Sequence, residues 1–189
     1  METGCAKGIL TKEISKKVKF NNFTANDIVE ESISYIQKII PDSNFIFGDI
    51  EEIELKDKYD LIISNAMLQW CENPAKTINK MFNQLKEEGV LAVSLFGNKN
   101  LKEINTIFNI SPNSVEEIKD SVEEIKILYF DSPIDVLKHL KSTGANALME
   151  YKFTKSDLKI FEYKYRKLFT IDGKVTLTYN PKYFIFQKF

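Results

Sequence analysis

Two runs of the chain leave little freedom in the fold. YDLIISNA at 59–66 and VLAVSLFG at 90–97 are almost continuously apolar, and a helix-length amphipathic stretch separates them. Runs of four to eight such residues are strands buried on both faces, and strands of that kind belong to parallel sheets covered by helices. The alternation around them agrees. Residues 8–18 place Ile9, Leu10, Ile14 and Val18 on one helical face, and FTANDI at 23–28 is a short strand ending near Asp27. Residues 29–40 are amphipathic, with Ile33, Ile36, Ile39 and Ile40 inward and Pro41 as the stop. NFIFGDI at 44–50 is a strand ending in Gly48 and Asp49. A helix over 74–86 opens on Pro74, with Gly89 just past its end. Helix and strand in turn predict an α/β, mostly parallel sheet.

After Gly97 the rhythm changes. Residues 100–109 read as a helix, and IKILYF at 125–130 alternates as a strand. A helix over 132–144 opens on Ser132 and Pro133 and ends at Gly144. Residues 154–168 form another, with Thr154 and Asp157 at its start, and VTLTYNPKYFIFQKF is a strand, an Asn-Pro break and a strand.

Composition excludes several function classes. Lys+Arg is 26 against Asp+Glu 27, so the chain as a whole carries no electrostatic footprint for nucleic acid or an anionic membrane. Among those cations only Arg166 is an arginine, which makes bidentate forks for carboxylate or phosphate scarce. Cys5 and Cys71 lie far apart, and His139 is the only histidine, so neither a zinc cluster nor a disulfide framework is expected. A reducing, cytoplasmic setting fits this cysteine usage. Neither a secretory signal nor a membrane span is expected from these residues.

The chemistry-bearing residues sit at strand ends. Gly4 and Gly8, with small residues between them, run into a helical pattern, as in a loop that lets backbone approach a nucleotide-type ligand. Asp27 follows 23 positions after Gly4, at the end of a strand, where an acidic side chain can hold a ribose diol. A tight turn with a solvated Asp27 explains these two features equally well. Asp49 ends the next strand and can accept from an exocyclic amine, or simply cap its own turn. Asn65 leaves the end of the central run, at the edge of the crevice this topology creates. Met67 and Trp70 follow it and line either a pocket or the core.

Glu2-x-Gly4-x-x-x-Gly8, Asp27, Gly48-Asp49 and DLIISN, in that order, resemble a class I S-adenosylmethionine-dependent methyltransferase. SNAMLQWCENP with GVLAVSLFGNKNLKEI, then ILYFDSPIDVLKHLKSTGANAL, then GKVTLTYNPKYFIFQK are similar to the malonyl-[acyl-carrier-protein] O-methyltransferases of biotin synthesis. The resemblance runs from Glu2 to Lys188. It implies a Rossmann-like sheet with an antiparallel C-terminal strand. It also implies one methyltransferase domain over 1–189, with a cofactor-binding half (1–97) and substrate-side helices and C-terminal strands (98–189). Glu2, Gly4, Cys5 and Gly8 are expected around the methionine part of S-adenosylmethionine, Asp27 and Ile28 at the ribose and one adenine face, and Asp49 and Ile50 at the adenine edge. Asn65 is expected near the sulfonium, and Gln69 and Trp70 toward the substrate.

The implied reaction methylates the free carboxylate of a malonyl thioester, on acyl carrier protein or coenzyme A, in making the pimeloyl precursor of biotin. It needs no general base and no metal. An acidic carrier protein would meet Lys99, Lys102, Lys138, His139 and Lys141, although each also reads as a solvated position, His139 above all. Two departures stand out. Ala6 replaces the middle glycine of the family's loop, where its methyl would crowd the ligand or its backbone adopt a conformation alanine dislikes. Met1 also falls where the last residues of the first central strand would be, so that strand is expected to be missing and its neighbours left with unpaired backbone. An inactive, N-terminally shortened chain or a partner subunit is therefore the alternative reading. An NAD-dependent oxidoreductase is a third, and it leaves Asp49 and SNAMLQW without a task.

Overall fold

The structure, a computed structural model, describes residues 1–110, 121–143 and 153–189. Its contacts divide the chain into two compact units, one built on Met1–Phe96 and Lys182–Phe189, the other on Gly97–Ser114 and Glu123–Pro181. The first boundary falls where the sequence rhythm changes.

The first unit holds strands β1 (Glu2–Thr3), β2 (Thr24–Asp27), β3 (Asn44–Phe47), β4 (Tyr59–Asn65) and β5 (Leu85–Phe96). Helices α1 (Ile9–Ser15), α2 (Ser32–Ile39) and α3 (Pro74–Asn83) connect them. Strands β6 (Val122–Glu123) and β10 (Pro181–Gln187) complete a seven-stranded sheet of order β3-β2-β1-β4-β5-β10-β6. The described pairs among β1 to β5 are parallel. Strand β10 runs antiparallel to β5: Lys188 N–H donates to the Gly89 carbonyl (3.0 Å) and Gly97 N–H to that of Asn180 (2.7 Å), so one strand ascends as the other descends.

The strand expected to be missing is present as two residues in the central slot. Glu2 and Thr3 pair with Ala25 and Asn26 on one side and with Ile63 and Ser64 on the other. The Met1 amine donates to the Leu61 carbonyl (2.7 Å) and the Met1 carbonyl accepts from Ile63 (2.9 Å). Short as it is, the stub supplies partners to both neighbours over these rows.

Gly89 does not end a helix. Helix α3 stops at Asn83, and Leu85 already pairs with Tyr59. The register then jumps so that Leu61 faces Val90, which leaves residues 86–89 looped out of the ladder. A Cβ at Gly89 would lie 2.8 Å from the Lys86 carbonyl oxygen and 3.1 Å from that of Tyr59, so only glycine fits this bulge.

One core cluster gathers Ile62 of β4, Leu91, Val93 and Leu95 of β5, Met81 of α3 and Phe184 of β10. A smaller one joins Cys5, Phe23, Ala25 and Ile36. Alternating burial along β5 alone predicts neither; helices on the sheet faces do, as both faces of β4 and β5 need cover. Ile9 departs from its expected face: it is 79% exposed, because α1 begins only there, straight after the left-handed Gly8.

The second unit contains α4 (Lys102–Phe108), β7 (Lys126–Phe130), α5 (Pro133–Thr143), α6 (Lys155–Phe169), β8 (Thr170–Ile171) and β9 (Lys174–Tyr179). Its strands form an antiparallel sheet of order β7-β9-β8. Val136, Leu140, Phe161, Tyr165, Val175 and Leu177 pack as its core. Helix α5 starts at Pro133 after Ser132, as the sequence suggests, with Ser132 Oγ accepting from Asp135 N–H, and Thr154 with Asp157 forms a reciprocal cap on α6. Gly144, expected to end α5, lies outside the described residues.

The Asn-Pro break is a buried hub. Asn180 is fully buried; its Oδ1 accepts from Lys99 N–H (3.1 Å), and its Nδ2 donates to Glu123 Oε1 (2.8 Å) and the Glu124 carbonyl (3.0 Å). His139 is no surface position. It is half-buried, hydrogen-bonded to Tyr179 Oη at 3.1 Å and packed against the Phe130 ring at 5.2 Å, since α5 turns that face toward β7 and β9. No described helix is long and apolar enough to cross a membrane.

Candidate active site

In the strand order β3-β2-β1-β4-β5, successive strands step one way from β1 and the other way from β4. Such a switch point opens a crevice above the carboxyl ends of the two strands. The loop Gly4–Gly8 leaves β1 there, and the loop after Asn65 leaves β4. The two touch: a Cβ built on Gly4 would lie 2.5 Å from Met67 Cγ. With φ at +68°, Gly4 also occupies a backbone region that suits glycine.

The loop is tied to β2. Asn26 carbonyl accepts from Gly4 N–H (2.9 Å) and Cys5 N–H (3.1 Å). Asp27 Oδ2 accepts from Ala6 N–H (2.7 Å), and its Oδ1 accepts from Val29 N–H (2.9 Å). Asp27 is thus neither a plain solvated side chain nor reserved for a ligand. Each carboxylate oxygen has a second lone pair, so it can hold the loop and still accept from a diol. Ile28 beside it is 63% exposed, an apolar surface at the strand end.

Ala6 resolves its own departure from the glycine pattern. Its φ is +44°, the left-handed region, so the backbone carries the strain. That region costs a Cβ-bearing residue about 1–2 kcal/mol, against about 0.5–1 kcal/mol of extra chain entropy lost by glycine on folding. Ala6→Gly is therefore expected to stabilise the protein by roughly 0.5–1 kcal/mol, read as a rise in the urea midpoint at unchanged slope. A lower midpoint would contradict the strained backbone.

Glu2 is 1% exposed, and its Oε2 accepts from Thr11 Oγ1 at 2.6 Å. Burial pushes its pKa up, against the pull of that hydroxyl. Cys5 is 3% exposed; burial, then the Asp27 and Glu2 charges, push its thiol up to about 12. Cys71 is half-buried and its thiol is raised as well, mainly by burial. A raised pKa means less thiolate at a given pH, and at pH 9 Cys5 holds only about one part in a thousand. Iodoacetamide at pH 9 should label Cys71 at least about tenfold faster than Cys5. Equal labelling in peptide maps of the native protein would place Cys5 outside the core.

Asn26 Nδ2 bridges β2 to the Ile46 and Gly48 carbonyls (both 2.9 Å), which sets the Gly48-Asp49 turn beside Asp27. Asp49 Oδ1 caps this turn through Glu51 N–H (2.8 Å), and Asp49 lines a groove of about 310 Å³ with Glu51, Glu72, Lys76 and Lys80. Glu51 accepts from the N–H groups of Glu72 (2.6 Å) and Asn73 (2.9 Å) and from Thr77 Oγ1 (3.2 Å). Burial raises its pKa, but these donors outweigh it and leave the net shift downward. Ile50 turns away: it is 4% exposed and belongs to the core, so only its backbone is left for the crevice.

On the β4 side, Asn65 is exposed and accepts from Ser94 Oγ. Gln69 Nε2 donates to the Ala66 carbonyl (2.6 Å), while its buried Oε1 has no partner among the described residues. Trp70 is 65% exposed. The structure thus brings Glu2, Gly4, Cys5, Gly8, Asp27, Ile28, Asp49 and Asn65 to one sheet edge, with Gln69 and Trp70 following. Sequence reading missed Thr11, Glu51 and Ser94. Only Ser94 left a signal, as the one hydroxyl inside VLAVSLFG.

A family profile described as a methyltransferase domain matches residues 1–164. The malonyl-[acyl-carrier protein] O-methyltransferase of Calditerrivibrio nitroreducens is 38% identical, across all of this chain and 79% of that protein. The chain belongs to this methyltransferase family. The protein of the same name from Haemophilus influenzae is 35% identical over 98% of this chain and 76% of its own length. The fold of this methyltransferase is shared by the YcgJ protein of Bacillus subtilis (TM-score 0.66, 11% identity, 99% of this chain and 90% of that one). It is also shared by the N-methyltransferase NodS of Bradyrhizobium japonicum, solved with S-adenosyl-homocysteine (TM-score 0.53, 14% identity, 99% and 76%).

Proposed function

We propose that this methyltransferase binds S-adenosylmethionine at the β1–β4 switch point and methylates the free carboxylate of a malonyl thioester, the early step of pimeloyl and biotin synthesis. The observation that carries the reading is that Asp27 ends β2 and Asp49 follows the end of the adjacent β3, with exposed Ile28 directly after Asp27. A diol, an aromatic face and an exocyclic amine need those three surfaces in that order. The residues present therefore fit the cofactor. When bound, it supplies an electrophilic methyl group on a cationic sulfur.

The chain's own work is binding and placement. Glu2, beside the Gly4–Gly8 loop, suits the ammonium of the methionine part, and the loop backbone with Cys5 surrounds that part. Asp27 and Ile28 take the ribose and one adenine face; Asp49 and the Ile50 backbone take the adenine edge. Asn65 stands near the sulfonium, and Gln69 and Trp70 stand on the acceptor side. A carboxylate, with a reference pKa of about 4, is already ionised at neutral pH. No residue has to remove a proton. Rate then comes from alignment and exclusion of water.

Malonyl-acyl carrier protein is the preferred acceptor. Within the second unit Lys99, Lys102, Lys138 and Lys141 are exposed, and Lys138 is held by Asp135 at 3.0 Å. Point charges of this kind steer an acidic partner. Isothermal titration with S-adenosylhomocysteine tests the cofactor, and mass spectrometric detection of the methyl ester tests the reaction. Reversing Lys138 and Lys141 to Glu is expected to raise KM for the carrier-protein thioester about tenfold and to leave the coenzyme A thioester unchanged. No heat with S-adenosylhomocysteine would favour the inactive reading.

A further inference from the structure

The amide of Asn65 has a fixed orientation. Asn65 closes β4 directly opposite Ser94 of β5. Ala66 N–H donates to the Ser94 carbonyl (3.0 Å) and also reaches Ser94 Oγ (3.3 Å). Ser94 is 8% exposed, and its hydroxyl carries a single proton. That proton is directed at Asn65 Oδ1. A hydroxyl donates only to an acceptor, so the amide oxygen faces Ser94 and the NH₂ group lies on the other branch. Among the described residues nothing accepts from Nδ2, and the Asn65 side chain is exposed at the crevice edge.

The group offered at the end of β4 is therefore a pair of N–H donors. Beside a cationic sulfur, an oxygen would be the favourable partner; N–H donors suit an anion. We infer that Asn65 donates a hydrogen bond to the carboxylate of the methyl acceptor and so selects an anionic acyl terminus, with Ser94 as the positioning residue that turns the amide. This rests on the malonyl thioester reading above, and it moves Asn65 from the cofactor to the acceptor. Aspartate at 65 would present two acceptors to an anion, and alanine at 94 would release the amide to rotate.

The test uses the wild-type chain saturated with S-adenosylhomocysteine and titrated with malonyl-pantetheine. The Asn65 side-chain NH₂ signals are expected to move on binding in ¹H–¹⁵N spectra. Asn65→Asp should weaken malonyl-pantetheine about tenfold or more while the affinity for S-adenosylhomocysteine stays within about threefold. Ser94→Ala should cost about three- to tenfold, with Ser94→Thr restoring the wild-type value to within about twofold, and in the methyl-transfer assay the change should fall on KM rather than kcat. Binding of malonyl-pantetheine with an unmoved Asn65 amide, or wild-type affinity in Asn65→Asp, overturns this inference alone. A wild-type chain that binds S-adenosylhomocysteine but no malonyl thioester overturns the acceptor reading and this inference together.

Discussion

Asp27→Ala is expected to weaken S-adenosylhomocysteine binding by about a hundredfold, some 2.7 kcal/mol. Two losses combine. The ligand loses a charged acceptor for its diol, a kind of bond that contributes about 1.5–3 kcal/mol. The loop loses its tie, because the Ala6 and Val29 N–H groups both end on this carboxylate. Ala6 already sits in the left-handed region, so without Asp27 its strain is unopposed. Asp27→Asn separates the two effects: its one oxygen can hold Ala6 or Val29, and its NH₂ repels the other donor. Titration calorimetry, with a melt of the ligand-free protein alongside, reads both. A dissociation constant within about threefold of wild type would mean that Asp27 serves the loop alone.

The second large effect lies in the other unit. Glu103→Ala should cost about 3 kcal/mol, read as a melting temperature lower by roughly 10 °C for a chain of this size. Glu103 is fully buried. Its oxygens accept from Thr178 N–H (2.9 Å), Thr178 Oγ1 (2.7 Å) and Thr176 Oγ1 (3.4 Å), which fastens α4 to β9. Truncation leaves the Thr178 donors buried without partners. Tyr165, whose hydroxyl donates to the Thr176 carbonyl at 2.7 Å, has its phenol pushed up by burial and then by the Glu103 charge. Glu103→Gln keeps one acceptor and should lose about half as much. An unchanged melt for Glu103→Ala would show that the threonines find other partners.

The parallel half was legible because its signals are local. A strand buried on both faces must be apolar throughout, and YDLIISNA and VLAVSLFG are. Asp27, Asp49 and Asn65 stood out because a polar residue at the end of such a run has few places to go except the crevice. What the sequence hid depends on partners far along the chain. Glu103 reads as one more charge on a short helix until β9, some seventy residues later, brings two threonines to it. His139 reads as polar surface until Tyr179 and Phe130 arrive. Gly89 looks like a helix stop because the bulge that requires it exists only against Tyr59 of the neighbouring strand. Ser94 was visible in the run, but its effect on Asn65 needed the β4–β5 register.

Strand β1 has a kinetic consequence. Glu2 and Thr3 are made before both of their flanking partners, and one of these, Ile63 with Ser64, follows some sixty residues later. While the chain is being synthesised, this central pairing cannot close until β4 has left the ribosome. The cofactor loop must therefore wait on one of the most sequence-distant contacts in its sheet. Contacts of such separation slow folding, so nascent chains stalled before residue 65 should carry the loop residues without the crevice they build.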